Sequence, residues 1–193
     1  MSATRWIWFR HAATAPSAGF CGRLDVDVLP FQATLVGEWA VSRPDALLVS
    51  PLRRARSTAA VICQSLGLPQ DLRDGLVEQS FGDWEGRDYT VSQGLMPDTL
   101  DGMAAFRPPA GESFDDVVAR VRAAMREIEA DHAGRTLWLI AHAGTIRAAL
   151  AVALDMPAGR ALGFAVDHLS ATAMTSFGGA GWRVDYVNRP ACA

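Results

Sequence analysis

The chain has 193 residues, half of them hydrophobic and a fifth charged, with a net charge of -3 at pH 7. This length fits one domain with its own core, and the composition excludes a disordered chain. The charge disfavours a nucleic-acid partner, which needs a basic face to replace phosphate counterions, and no apolar run reaches the roughly 18 residues of a transmembrane helix.

From the N-terminus, "MSATRWIWFRH" lacks the long apolar core and cleavage site of a leader, which predicts a cytoplasmic protein with no membrane partner. "RWIWF" (5–9), "DALLV" (45–49) and "TLWLIA" (136–141) are short, nearly continuous apolar runs. That is the pattern of strands covered on both faces in a mostly parallel sheet. After Pro51, Leu52, Ala55, Ala59, Ile62 and Leu66 recur at helical spacing until Gly67 and Pro69 stop the helix. Residues 89–109, rich in apolar side chains and Gly/Pro breaks, are expected to form a helical cover within an insertion of about 87–112, with Trp84, Met96, Met103 and Phe106 lining a wall or packing the lid itself. Ser113 and Asp116 form a capping arrangement for a helix over 114–130, whose stripe of Phe114, Val117, Val118, Val121, Ala124, Met125 and Ile128 is core. Gly144 opens the next helix, and "ATAMTSF" and "WRVDYVN" flank "GGAG" as a hairpin at the sheet edge. The sum is a single α/β domain over 1–193: a three-layer α/β/α sandwich around a mostly parallel sheet with an antiparallel edge strand. The edge hairpin leaves a dimer open.

All 18 basic residues are arginines. A Walker-type phosphate loop or a Schiff-base enzyme therefore lacks its lysine, whereas the guanidinium fork suits phosphate and carboxylate. The three cysteines, Cys21, Cys63 and Cys192, are far apart and odd in number, which suits free thiols, with Cys63 a small core residue. No CxxC or HExxH pattern occurs, so neither a metal nor a cofactor is expected.

Ligand sites in such sheets lie beyond the carboxyl ends of the strands. There the sequence places Arg10 and His11 after the first run, Ser50, Arg53, Arg54 and Arg56 after the second, and His142 with Arg147 after the third. "VEQSFGDWEGRD" adds Glu78, Asp83 and Glu85 in a segment that reads as a loop over a site. These groups suit phosphoryl transfer from a small ester: an imidazole attacks phosphorus, guanidinium groups stabilise the phosphoryl oxygens, and a carboxylic acid protonates the leaving alcohol. His132 sits at a helix C-terminus and is explained by the helix dipole. His168 is a core or near-site histidine, and Arg53, Arg56 and Arg147 are equally well explained by ion pairs or capping.

Four strings, "FRHAATAPS", "SPLRRARSTA", "EQSFGDWEG" and "IAHAGTIRA", occur in this order across most of the chain. Together they resemble the histidine phosphatase superfamily in its phosphoglycerate-mutase-like branch, and "FGDWEG" is most similar to the α-ribazole-5′-phosphate phosphatases of cobalamin biosynthesis. The resemblance implies a metal-independent phosphatase in which His11 is the phosphorylated nucleophile and Arg10 and Arg54 bind phosphate. It further implies that His142 donates to the phosphoryl group, with Thr14 and Ala143 in the phosphate-binding segments, and that Glu78, rather than Asp83 or Glu85, is the acid. The sequence departs from the family pattern at Ala12, Ala13 and Ser17, and Ala143 stands where a Gly is frequent. These departures motivate a second reading, a noncatalytic phosphate-binding or interaction module of the same fold. A broad-specificity or phosphoprotein phosphatase is a third, and mutase chemistry fits less well because the family's mutases are generally longer. The expected partner is a small phosphorylated substrate.

Overall fold

The computed structural model describes residues 3–15, 19–31, 43–62 and 64–191. Ser17, Cys63 and Cys192, singled out above, lie outside the described residues. Six strands form one sheet in the order β3-β2-β4-β1-β5-β6. They are β1 Thr4–Arg10, β2 Ala46–Val49, β3 Gln70–Leu72, β4 Thr136–Ala141, β5 Ser170–Ser176 and β6 Trp182–Pro190. β1, β2, β3 and β4 pair in parallel, β5 runs against β1, and β6 runs against β5. The three apolar runs read as buried strands are the three central parallel ones, and the predicted hairpin is the β5–β6 edge.

The helices are α1 Arg53–Ile62, α2 Leu100–Ala105, α3 Phe114–His132, α4 Ala143–Ala153 and α5 Ala158–Ala161. Side chains of a strand point alternately to the two faces, and this alternation creates two cores. Trp6, Trp8, Leu137 and Leu139 pack on α3 and α4. Ile7, Phe9, Leu47, Val49 and Ile140 pack on Ala55, Ala59 and Ile62 of α1. Every residue in the predicted apolar stripe of α3 is buried. Glu129 of α3 reaches the ends of β1 and β5, accepting from Thr4 Oγ1 at 2.8 Å, Trp6 Nε1 at 3.1 Å and Ser176 Oγ at 3.1 Å.

β3 had no counterpart in the sequence reading. It is three half-exposed or exposed residues on the sheet edge, too short and too polar to display a strand period. The segment 89–109 is less helical than expected: a 3₁₀ turn at Tyr89–Ser92 and the six-residue α2 are its regular elements.

α3 begins with a reciprocal capping box, in which Ser113 Oγ accepts from Asp116 N at 3.2 Å and Asp116 Oδ2 accepts from Ser113 N at 2.7 Å. Ser113→Ala should cost ~1 kcal/mol of stability, read as a lower urea midpoint with unchanged m-value. No shift in the midpoint would mean that the apolar face alone holds this helix.

Candidate active site

The β1–β4 register pairs Arg10 with Ala141, so the residues that follow, His11 and His142, emerge side by side. The ladder continues one step beyond the strands: His11 N donates to Ala141 O at 3.0 Å and Ser50 N to Ile140 O at 3.0 Å. The two imidazole centroids stand 5.0 Å apart, and the His168 ring packs against His11 at 5.2 Å with planes inclined by 58°.

His11 Nδ1 lies 2.7 Å from Ala12 O. A carbonyl only accepts, so the proton sits on Nδ1 and Nε2 keeps a lone pair. Burial, reinforced by Arg54 and Arg10 and opposed by the Ala12 carbonyl, holds the His11 pKa well below the ordinary imidazole value. The ring is therefore neutral at neutral pH, with an Nε2 lone pair that has the capacity to act as a nucleophile. The loop that carries it is tied to α1, because Thr58 Oγ1 accepts from Ala12 N at 2.9 Å and donates to Arg54 O at 2.7 Å.

Arg54, in the first turn of α1, is 2% exposed. It donates from Nε to His142 Nδ1 at 3.2 Å, from Nη1 to Leu24 O at 2.7 Å and from Nη2 to Gly22 O at 2.6 Å. Five N–H groups serve three partners, so two remain for an anion. Arg10 spends Nη1 on Val166 O at 2.6 Å, and its buried Nε has no hydrogen-bond partner among the described residues. A guanidinium left this open beside a nucleophile has the capacity for charge-assisted bonds to phosphate.

Glu78 Oε1 accepts from Gln79 N at 2.9 Å, and Oε2 from Gly144 N at 3.1 Å in the first turn of α4. A Cβ on Gly144, the second residue of α4, would run into the Glu78 carboxylate, so glycine there lets the carboxylate reach the helix N-terminus. Glu78 joins Arg10, His11, Thr14, Arg54 and His168 around one cavity of about 380 Å³. The other two carboxylates are elsewhere engaged or outside. Glu85 Oε1 accepts from Arg23 N and Phe81 N, both at 3.0 Å, and braces the loop. Asp83 is exposed on a 3₁₀ turn.

Ala143 is half-buried, and His142 is fully buried. Its Nδ1 accepts from Arg54, so in the neutral ring the proton is on Nε2, 2.7 Å from Ser50 Oγ. Neither nitrogen offers a free N–H, and burial, together with His11, Arg54 and Arg10, keeps its pKa well below the usual value. His168 is at the site; its Nδ1 donates to His11 O at 2.9 Å. Arg53 pairs with Asp25 and Asp27 on the surface, Arg56 is exposed, and Arg147 Nε donates to Phe164 O at 2.8 Å.

Ser50, placed by the sequence at the end of the second strand, stands there as a partner of His142. Two supporting residues escaped sequence reasoning. Thr58 lies one helical turn beyond Arg54, so position alone carried a signal for it. Arg120 had none: it acts across the fold, donating to Gly75 O at 2.9 Å and Val77 O at 3.0 Å just before Glu78. Cys21, a free thiol, also lines the cavity.

The family model for the histidine phosphatase superfamily (branch 1) matches residues 6–190. The chain belongs to this superfamily. A glucosyl-3-phosphoglycerate phosphatase of Mycobacterium tuberculosis is 32% identical over 81% of this chain and 78% of its own. The native structure of a mycobacterial glucosyl-3-phosphoglycerate phosphatase superposes with a TM-score of 0.82 at 25% identity, over 97% of this histidine phosphatase domain and 99% of that chain. The adenosylcobalamin/α-ribazole phosphatase of Salmonella typhimurium is 30% identical over 64% of this chain and 63% of its own. A bifunctional protein of Mycobacterium tuberculosis is 37% identical over 59% of this chain, and the match spans about a third (32%) of that protein's length.

Stability should fall on acidification because of the buried imidazoles. The unfolded chain takes up protons as pH drops through about 6.5 while folded His11 and His142 stay neutral, so stability is complete above that value and declines below it until their lowered pKa values are reached. Each group contributes at most ~1.4 kcal/mol per pH unit in that window. Urea unfolding of the wild type should thus weaken with falling pH more steeply than that of His11→Asn; equal slopes would return His11 to an ordinary titration.

Proposed function

We propose that this chain is a metal-independent phosphomonoester hydrolase that works through a phosphohistidine at His11. One observation carries the reading: a neutral His11 with a free Nε2, two arginines with unspent N–H groups, and Glu78 share one cavity, while a second imidazole packs at a tilt against His11.

In the first step His11 Nε2 attacks phosphorus, the N–P bond forms as the ester P–O bond breaks, and the acid form of Glu78 delivers its proton to the departing alkoxide. In the second step the Glu78 carboxylate takes a proton from water. The resulting hydroxide displaces His11 from phosphorus, releasing inorganic phosphate and restoring the neutral ring. Arg10 and Arg54 supply the positive field at the phosphoryl oxygens throughout, so no step asks for a metal. His142 serves the site as a neutral ring, its Nδ1 accepting from Arg54 and its Nε2 facing Ser50, and so holds the Arg54 guanidinium in place for the phosphoryl group.

The substrate we propose is a small phosphorylated metabolite. α-Ribazole 5′-phosphate is the first candidate on the strength of "FGDWEG" and the Salmonella relative. Glucosyl-3-phosphoglycerate is the second, because the mycobacterial relative covers more of the chain. Competition between the two esters for turnover ranks them.

Acid quenching during turnover of an aryl phosphate should trap phosphohistidine at position 11, and His11→Ala should abolish both adduct and turnover. Turnover persisting in His11→Ala, or an inert wild type, would refute the mechanism, the latter in favour of a noncatalytic phosphate-binding module. Chelators should leave the rate unchanged.

Glu78→Gln should slow alkyl phosphates far more than aryl phosphates with good leaving groups, since protonation helps only when the departing oxygen is basic. Equal slowing would move the acid elsewhere.

A further inference from the structure

A second cavity of about 300 Å³ adjoins the phosphate site, and Phe20 and Phe81 line both. Its far wall comes from Met96, Leu100, Met103 and Phe106, in α2 and its flanking segments. Trp84 stacks on Phe106 with centroids 5.4 Å apart and planes inclined by 26°, and Phe20 packs against Phe81 at 4.8 Å and Trp84 at 5.3 Å. Among the described residues no ionisable side chain lines this cavity, and the one side-chain amide there, Gln79, spends its Nε2 on Glu112 O. On the phosphate side the arginines of the wall are Arg10 and Arg54, both needed for the phosphoryl group.

Met96 and Leu100 are 37% and 45% exposed. Side chains that merely filled a lid's own core would be buried, whereas these leave an apolar recess in contact with water beside a polar catalytic cavity. Thioether and aromatic faces of this kind hold flat rings. An anionic leaving group entering the recess would lose its hydration without meeting a cation. The volume sits at the lower end of the range for small-molecule sites and has room for one ring system.

We infer that this recess receives the leaving group, and that the preferred substrates are phosphomonoesters whose uncharged alcohol carries an aromatic ring. The inference rests on the phosphomonoesterase reading above and narrows it, favouring a ring-bearing alcohol over a sugar acid.

The test uses two esters with the same primary alkoxide, ethyl phosphate and 2-(1-naphthyl)ethyl phosphate, so that leaving-group basicity cancels. For the wild type, kcat/KM should favour the naphthyl ester by at least about tenfold. Met103→Glu should remove that preference and leave ethyl phosphate turnover unchanged. Phe106→Leu, which keeps the wall apolar, should reduce the preference in part. Calorimetric binding of the same esters to His11→Ala should show the same preference without turnover. Hydrolysis of both esters at equal kcat/KM overturns the inference and leaves the hydrolase reading standing. No hydrolysis of either, with tighter binding of the naphthyl ester, supports the recess and overturns the hydrolase reading. A preference that disappears as sedimentation velocity shows self-association covering Met96 and Leu100 assigns the recess to a second copy and overturns the inference.

Discussion

The pairing of Arg10 with Ala141 in adjacent parallel strands is the constraint on which the site depends. It fixes where the two strands end relative to each other, and so makes neighbours of His11 and His142, which are more than a hundred residues apart in sequence. A slip of one residue in this register would send His11 to the opposite face and take Trp6, Trp8, Ile7 and Phe9 out of their cores with it. The two cores therefore protect the catalytic geometry: the same alternation that buries tryptophans against α3 and α4 aims the imidazole. A parallel sheet covered on both faces tolerates no such slip, because either face would then present the wrong side chains to a helix.

Burying two imidazoles and a guanidinium is costly unless their hydrogen bonds are nearly complete. Around His142 they are: Arg54 donates to one nitrogen, Ser50 faces the other, and Arg54 fixes the loop at Gly22 and Leu24. Around His11 they are not. Its Nδ1 is held by a backbone carbonyl, while its Nε2 and the Nε of Arg10 are left for a ligand. The contrast separates scaffold from reacting surface. Satisfied groups hold position, and the unsatisfied ones keep hydrogen-bonding capacity that the proposed reaction uses. The strained backbone at Leu169, with φ of 57°, lies against this surface, and its N–H donates to Arg10 O at 3.1 Å. A leucine in the left-handed region is paid for by the β5 and β6 pairing that follows it.

The parts of the fold legible from the residues were those with a strong local period. Central strands read as continuous apolar runs because both their faces are covered, and α3 read as a stripe ending in a capping box. β3 was illegible because Gln70–Leu72 sits on an edge with polar, half-exposed side chains, and α2 because six residues are too few to show a stripe. At the site, residues just past strand ends were visible as candidates from topology alone. The choice of Glu78 over Asp83 and Glu85 was not, and came only through the family resemblance. The structure supplies a physical reason for the difference between them: Glu78 meets the N-terminus of α4, whereas Glu85 is consumed in bracing its own loop. The buried placement of His142 had no local signal, since its partners Arg54 and Ser50 arrive from another helix and strand end.

The site divides into halves of different mechanical character. The phosphate half is built on strand ends and two helix N-termini within the rigid sheet. The aromatic half comes mainly from residues 79–109, where 3₁₀ turns at Gly82–Trp84 and Tyr89–Ser92 and the short α2 carry side chains, with Phe20 added from the N-terminal part of the chain. That half is held by polar knots rather than by a sheet: Glu85 to the backbone of Arg23 and Phe81, and Arg120 to Glu112 and to the carbonyls before Glu78. Glu78 stands at the junction, with its carboxylate bonded to α4 and its backbone in the segment that Arg120 holds. In the proposed reaction the acid must follow the leaving oxygen, and Glu78 stands at that boundary, between the proposed phosphoryl site and the recess inferred to take the alcohol. On that mechanism, substitutions in the aromatic half alter the alcohol accepted without moving His11, because among the described residues no hydrogen bond of His11 reaches into it.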